Sequence, residues 1–334
     1  MSVPRVSVVM TLYNKGAFVE EAILSVLHGT YADFELLVID DASTDDGPAR
    51  VNTIADPRVR LITAERNQGR AAAANRGYKL ASGEYIAILD ADDLAEPERL
   101  AMQVAFMDAH PEVGVSGTAA QCFGASDERL SWPSGDGACR ARLLFTDPVL
   151  YGSAIFRSAL LQQGDSPARS DWSLPGEDYL MMIELSRRTR FGNLELPLLR
   201  YRIGAQNQRH GRDVVHDRGA LCKEVFRFFG IPLSDAEVER QLLYHQVVAK
   251  PLDQAFVSRF MVWHEELKSR VSRVAEVPFD GFLAESDRRF RKVFFMVADR
   301  DLACALLMLR ARKELRGWAA YRYLITVTYR RWFQ

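Results

Sequence analysis

The 334-residue chain contains no apolar stretch near the roughly 18 residues that a membrane-spanning helix needs. Its apolar run near the N-terminus, residues 6–12 behind Arg5, is too short for a signal-peptide core and lacks a small-residue cleavage site, so it reads as a buried strand. Cysteine is scarce as well. Cys122, Cys139, Cys222 and Cys304 stand far apart, without the paired spacings of zinc sites or redox dithiols, and fit a reduced, cytoplasmic setting. Nor is there an excess of one charge: 43 Lys and Arg against 44 Asp and Glu give a formal net charge of -1. That balance excludes the strongly basic footprint of a protein whose partner is nucleic acid. Finally, neither a G-x-G-x-x-G nor a Walker sequence occurs, which weighs against dinucleotide dehydrogenases and P-loop enzymes.

What is present is ordinary globular composition, 48% apolar and 26% charged, at a length that suits one large domain or a core with an appendage. Through about residue 118, strand-like and helix-like segments alternate. Residues 5–12 end in the turn-prone Tyr13-Asn14-Lys15-Gly16, Val19, Ala22, Ile23, Val26 and Leu27 recur at helical spacing, and 34–39 is again apolar. Ser43 with Asp46 predicts a capping box for a helix towards residue 55. Residues 59–63 read as a strand, 69–81 as a helix and 85–89 as a buried strand; Pro97 opens a helix that Pro111 stops before a strand at 113–118. This alternation predicts an α/β fold with a mostly parallel, Rossmann-like sheet and helices on both faces. Ligands of such sheets gather at the carboxyl ends of strands. Those ends carry Thr11-Leu12-Tyr13, Asp40-Asp41 and Asp90-Ala91-Asp92, so polar residues from three strands converge on one edge.

Asp90, Asp92 and Asp93 repel one another unless solvated or bound to a cation. Their spacing suits a hard dication such as Mn2+ or Mg2+ that bridges to phosphate; a solvated acidic turn opening the next helix is the competing reading. Asp40 and Asp41 serve either as caps or as acceptors for a base N–H or a ribose hydroxyl. Between Asn67-Gln68-Gly69 and Asn75, small residues permit close approach of a ligand, and Arg70 at a helix start either helps to hold phosphate or faces solvent. Glu177-Asp178 is either an ordinary pair at a helix N-terminus or the source of a general base for a hydroxyl nucleophile.

Beyond about residue 207 the texture turns to Arg, Leu and aromatics, predicting a mainly helical region over 207–334. From Leu302 onward, Leu306, Leu307, Leu309, Trp318, Tyr321, Tyr323, Trp332 and Phe333 alternate with Arg310, Arg312, Lys313, Arg316, Arg322, Arg330 and Arg331. This pattern fits an amphipathic helix packed on a core, or an interfacial helix giving peripheral contact with the inner face of the plasma membrane.

Taken in order, these segments resemble the family 2 glycosyltransferases, which have the GT-A fold. The resemblance covers about the first 205 residues: Val6-Ser7-Val8-Val9-Met10-Thr11-Leu12-Tyr13-Asn14, Ile39-Asp40-Asp41-Ala42-Ser43-Thr44-Asp45, Asn67-Gln68-Gly69 and Ala74-Asn75-Arg76-Gly77. It continues through Gly83-Glu84-Tyr85-Ile86-Ala87-Ile88-Leu89-Asp90-Ala91-Asp92-Asp93 and closes on Glu177-Asp178. It implies a catalytic domain over 1–206, with a nucleotide-binding half at about 1–118 and an acceptor-side half at about 119–206, followed by the helical appendage. The activity implied is metal-dependent, inverting transfer of a hexosyl group from a nucleotide sugar, UDP favoured, to a glycan or lipid-linked acceptor in bacterial cell-surface polysaccharide or glycolipid assembly.

By the same resemblance Thr11, Tyr13 and Asp41 line the nucleotide pocket, with Asn67, Gly69, Arg70 and Asn75 beside it. Asp90-Ala91-Asp92 holds diphosphate and metal, Asp178 is the general base, and Glu177 is its orienting neighbour. One position departs. Gly204 follows Leu199-Arg200-Tyr201-Arg202-Ile203 where related enzymes often carry a His, so that either His210 is the replacement ligand or the site works with fewer ligands. Two other readings compete: a nucleotidyltransferase, for which Tyr13-Asn14-Lys15-Gly16 supplies only a fragment of a phosphate loop, and a nucleotide-sugar-binding protein without turnover, suggested by Gly204.

Overall fold

The computed structural model describes residues 3–163, 168–204, 212–312 and 315–332, with the side chains of 329–332 outside the description. The chain divides into two compact units, Met1–Arg140 with Asp147–His210, and Ala141–Thr146 with Gly211–Gln334.

The first unit begins with strand β1 (Val6–Leu12), helix α1 (Gly16–Leu27), β2 (Phe34–Asp40), α2 (Gly47–Asn52), β3 (Val59–Thr63), α3 (Arg70–Leu80) and β4 (Tyr85–Ile88). Next come β5 (Leu94–Ala95), α4 (Arg99–Ala109), β6 (Val113–Gly124), β7 (Arg129–Leu130), α5 (Asp136–Ala141), β8 (Ile155–Arg157), α6 (Ser158–Gln162), α7 (Glu177–Leu185) and β9 (Arg190–Ile203). Successive side chains of a strand point to opposite faces. Val8, Met10 and Leu12 of β1 therefore pack with Val19, Ile23 and Val26 of α1 and Leu100, Val104 and Met107 of α4. Val9, with Leu37 and Ile39 of β2, meets Ala73, Ala74 and Tyr78 of α3 and Met182 of α7. Two cores, one on each face, make the central strands mostly apolar, as parallel strands covered on both sides require, and the buried Ser7 of β1 donates its hydroxyl to Glu35 of β2 at 2.7 Å.

The sheet order is β3-β2-β1-β4-β8-β6-β9-β5, with β7 paired to β6. It is parallel from β3 to β4, but β8 runs antiparallel to both β4 and β6, and β5 antiparallel to β9. The expected parallel character thus holds for the first half, while the second half is mixed because β8 and β5 are short returns rather than crossovers. The chain winds from β1 outwards to β3 and then crosses back to β4. The crevice between the ends of β1 and β4 is accordingly the topological switch point of the sheet.

One local expectation changes. Ser43 does not cap α2, whose N-cap is Asp46 without a side-chain cap bond. Ala42 takes a left-handed turn (φ 58°), and Ser43 and Thr44 instead join the loop after β1, where Asn14 N–H donates to Ser43 Oγ (3.0 Å) and Thr44 N–H to Asn14 Oδ1 (2.8 Å). Asp45 provides the anchoring, accepting from the N–H groups of Gly16 (2.7 Å) and Gly47 (3.0 Å) at the starts of α1 and α2.

The second unit contains α8 (Val214–Phe228), α9 (Asp235–Leu242), α10 (Gln254–Val271), α11 (Phe279–Arg300), α12 (Leu302–Ala311) and α13 (Trp318–Trp332). Side chains satisfy the open N–H groups at several helix starts: Asp213 for α8, a Ser234–Glu237 capping box for α9, Asp253 for α10 and Asp301 for α12. Its core is aromatic, with Phe260 stacked on Phe290 and Phe145 on Phe282. Phe145 comes from the segment Ala141–Thr146, which sequence alone places in the acceptor-side half but which groups with the helices. No helix among the described residues is long and apolar enough to cross a membrane.

Candidate active site

Parallel register sets the strand ends side by side: Thr11 opposes Ile39, Leu12 opposes Asp40, and Val9 opposes Ile88, two residues before Asp90. Thr11 is half-buried and Tyr13 about half exposed at this edge. Asp41, immediately after β2, is buried and takes the N–H groups of Gln68 and Gly69, one on each carboxylate oxygen, both at 2.8 Å. Asn67 donates to the Asp41 carbonyl (3.2 Å), so this aspartate organises the loop that leads into α3. Gly69 has φ 91°, a conformation that L side chains rarely adopt, and a Cβ there would meet nothing within 4 Å. The loop is therefore both tightly turned and open above Gly69.

The acidic cluster lies across the crevice. Asp92 accepts from Lys15 Nζ at 2.7 Å, an ion pair from the loop after β1 to the loop after β4. Asp93 Oδ1 accepts the Arg202 N–H (2.8 Å), and Arg202 Nε donates to the Asp92 carbonyl (2.8 Å). The pairing of β5 with β9 brings Arg202 here, and its guanidinium is packed over Phe18 and Phe123. Asp93 Oδ2 is buried without a partner. Burial, followed by the charge of Asp90, pushes the Asp93 carboxyl up to about 8. Asp90 is pushed up to about 6, first by burial and then by Asp92 and Asp178, against the pull of Arg70 and Lys15. Behind both sits Arg99, 2% exposed, donating to the Ile88 carbonyl (2.6 Å) and Gln103 (3.1 Å). Burial lowers Arg99 to about 10, and Asp93 and Asp90 resist that fall.

Glu177 and Asp178 open α7, and Arg70 of α3 clasps them both: Nε donates to Glu177 Oε1 at 2.6 Å and Nη2 to Asp178 Oδ2 at 3.1 Å. Burial disfavours the Arg70 charge, but Asp178, Glu177 and Asp90 together hold the guanidinium well above its usual value. It lies against the Tyr151 ring, whose hydroxyl is 2.6 Å from that of Tyr78. A cavity of about 10 Å³, no larger than one water, remains between Arg70, Tyr151, Glu177, Asp178 and Met181. Gly152, next to Tyr151, faces the acidic cluster. A Cβ there would stand 3.1 Å from Asp90 Oδ2 and 3.3 Å from Asp93 Oδ2, so glycine leaves room in front of both carboxylates.

Some expected ligands are placed otherwise. Asn75 uses its side-chain amide on the Ala168 backbone, as donor (2.7 Å) and as acceptor (3.0 Å), because α3 must tie down the chain entering α7. The Ala91 side chain is buried in the apolar core, which leaves only its backbone at the site. Arg70 is engaged by carboxylates rather than standing ready for phosphate. His210 lies outside the described residues. Lys15, Arg99, Tyr151 and Gly152 are site residues that sequence reasoning misses, since each acts on a partner more than ten residues or a whole strand away. The one local hint is Lys15 in the turn after β1.

Among the described residues, no three His, Cys, Asp or Glu side chains come together to hold a metal. The donor set nevertheless fits a hard dication if the protein supplies only Asp90 and Asp92. The charge of Asp92 helps to raise the Asp90 carboxyl, and phosphate oxygens and water would complete the oxygen shell such ions prefer.

The sequence pattern of Glycosyl transferase family 2 matches residues 7–155. The chain is 40% identical over 263 residues to the Bacillus subtilis protein named "Putative glycosyltransferase EpsE", covering 76% of this chain and 90% of that one. Over 102 residues it is 43% identical to the Escherichia coli UDP-Glc:alpha-D-GlcNAc-diphosphoundecaprenol beta-1,3-glucosyltransferase WfgD, covering 30% of this chain and 40% of WfgD. Matches to other curated relatives are partial too: the chain spans 50% of one from Haemophilus influenzae and 33% of one from Rickettsia felis. In three dimensions it is similar to residues 1–349 of S. aureus TarS, crystallised in complex with UDP-GlcNAc, with a TM-score of 0.57 at 19% identity over 98% of this chain and 92% of that one. The fold is GT-A, and the chain belongs to glycosyl transferase family 2.

Proposed function

We propose that this chain transfers a hexosyl group from a UDP-sugar to a hydroxyl of a glycan or lipid-linked acceptor by a single displacement with inversion. The observation that carries this reading is the Arg70 clasp. It links the carboxylates at the start of α7 to the electrostatic field of the acidic cluster, so a base and a diphosphate anchor share one site.

The nucleoside is assigned to the edge formed by Thr11, Tyr13 and the Asp41-ordered loop at Asn67 and Gly69. Asp90 and Asp92 are assigned to the diphosphate and would hold Mn2+ or Mg2+, which would neutralise charge on the departing nucleoside diphosphate. Gly152 keeps the space before Asp90 clear. Asp178 accepts the acceptor hydroxyl proton as the oxygen attacks the anomeric carbon, and the bond to the diphosphate oxygen breaks with its electron pair leaving on the nucleotide. Glu177 and Arg70 fix the direction of the Asp178 carboxylate. No covalent enzyme intermediate is required, and holding donor and acceptor together supplies much of the acceleration.

UDP is favoured because WfgD is named for UDP-Glc and TarS was crystallised with UDP-GlcNAc. The lipid-linked acceptor named for WfgD supports a role in cell-surface polysaccharide or glycolipid assembly at the inner face of the plasma membrane. The test is release of UDP from UDP-Glc and UDP-GlcNAc with Mn2+ and acceptor. Asp178→Asn should lower kcat about 10²- to 10⁴-fold, the usual contribution of a general base, while leaving UDP binding intact. Turnover of Asp178→Asn within a few-fold of wild type would remove Asp178 from the mechanism.

A further inference from the structure

Lys15 occupies an unusual place in this site. It follows β1, stands at the N-cap of α1, and extends across the switch-point crevice to Asp92 on the loop after β4. The pair is 2.7 Å long, with side-chain exposures of only 20% for Lys15 and 13% for Asp92. Shielding from water strengthens the attraction between the two charges while raising the cost of leaving either of them unpaired. The Lys15 backbone is held on either side: Asn14 is tied to Ser43 and Thr44, and Gly16 to Asp45. The tether places a flexible ammonium, rather than a planar guanidinium, where the donor diphosphate is expected.

We infer that Lys15 is a resident counter-ion of the D-x-D segment, which holds Asp92 while the donor is absent and competes with the divalent cation for it. When the metal-bound nucleotide enters, Lys15 gives up Asp92 and turns to the diphosphate, the nearest new anion. One cation is thereby exchanged for another, and the acidic loop is never left as a bare cluster. The inference rests on the donor-site reading above and adds to it a specific order of charge exchange. Lysine suits this exchange because its compact charge sits on four rotatable methylenes and can move between partners, whereas arginine tends to lock onto a carboxylate through two bonds.

The experiment measures Mn2+ binding without nucleotide, by titration calorimetry and by loss of the free Mn2+ electron paramagnetic resonance signal, on wild type, Lys15→Gln and Lys15→Arg. UDP binding without metal is measured on the same proteins, and thermal unfolding checks that each is folded. The expected result is Mn2+ binding on the order of tenfold tighter in Lys15→Gln, together with weaker metal-free UDP binding, and wild-type or weaker Mn2+ binding in Lys15→Arg. Mn2+ affinity unchanged or reduced in a folded Lys15→Gln protein, while wild type binds Mn2+, overturns the inference alone. If wild type binds neither Mn2+ nor Mn2+ with UDP, the metal-assisted donor site falls, and this inference with it.

Discussion

Two buried clusters, one in each unit, handle their titratable groups in opposite ways. In the helical unit His264 is fully buried, yet both ring nitrogens are engaged: Nε2 with the Asp287 carboxylate (3.2 Å) and Nδ1 with the Tyr244 hydroxyl (2.6 Å). Asp287 is shared with Lys268 at 2.8 Å, and its hydrogen bonds to His264 and Lys268 hold it well below the usual carboxylate range. In the α/β unit, Asp40 and Asp93 each keep a buried carboxylate oxygen without a partner, and Asp90 and Asp93 are pushed up rather than down. In the helical unit the buried imidazole and its carboxylate satisfy one another. At the acidic loop of the α/β unit a buried carboxylate oxygen is left without a partner, at a cost in stability.

The sharpest way to break this contrast is to remove a cation from one unit and the buried imidazole from the other. Arg99→Met should destabilise the protein by about 3–5 kcal/mol, because it takes away a buried charge and leaves Asp90 and Asp93 less compensated. His264→Phe should cost about 2 kcal/mol through the unpaired Tyr244 and Asp287 groups, and turnover per folded molecule should be unchanged. Urea unfolding and kcat on both variants check this; equal effects on turnover would erase the distinction between the units.

A smaller effect is expected from pH. Asp90 and Asp93 have folded-state values of about 6 and about 8, above the ordinary 3.8. The folded protein therefore binds more protons than the unfolded chain between about pH 4 and 8, and their contribution is greatest at the acid end and lost as pH rises through 6 and then 8. The melting temperature of donor-free wild type, relative to Asp93→Asn, should fall from pH 5.5 to 8.5. Parallel curves for the two proteins would mean that Asp93 is not strained by its burial.

The smallest effect on stability concerns the exposed face of α13. Trp318 is 75% exposed and Ile325 70%, with Tyr321 between them, while Ala320, Leu324 and Val327 are buried on the other face. Trp318→Ala with Ile325→Ala should change stability by less than about 0.5 kcal/mol, as surface substitutions do. It should also reduce co-flotation with anionic vesicles, the expectation for an interfacial helix. Unchanged flotation would leave that face without a membrane role.

Much of this is legible in the chain. Nearly continuous apolar runs at 34–39 and 85–89 announce parallel strands buried on both faces, and acidic residues directly after them mark the ligand edge, because strand order and chain direction constrain where such ends meet. What stays hidden depends on contacts between distant segments. Ser43 has the spacing of a cap, but the left-handed turn at Ala42 diverts it to Asn14. Asn75 has the look of a ligand residue until Ala168 comes beside it, and Lys15 has no meaning without Asp92. The mixed half of the sheet escapes sequence reasoning because β5, β7 and β8 are too short to carry a period.

The most direct test of the central claim is the melting temperature in the presence of UDP-, GDP-, dTDP- and CMP-sugars, each with and without Mn2+. A ligand at 100 times its Kd stabilises the folded state by about 2.7 kcal/mol. A UDP-sugar with Mn2+ should therefore raise the transition by several degrees, and more than either component alone. If no nucleotide sugar moves it in the presence of the metal, the acidic edge of the sheet is not a donor site.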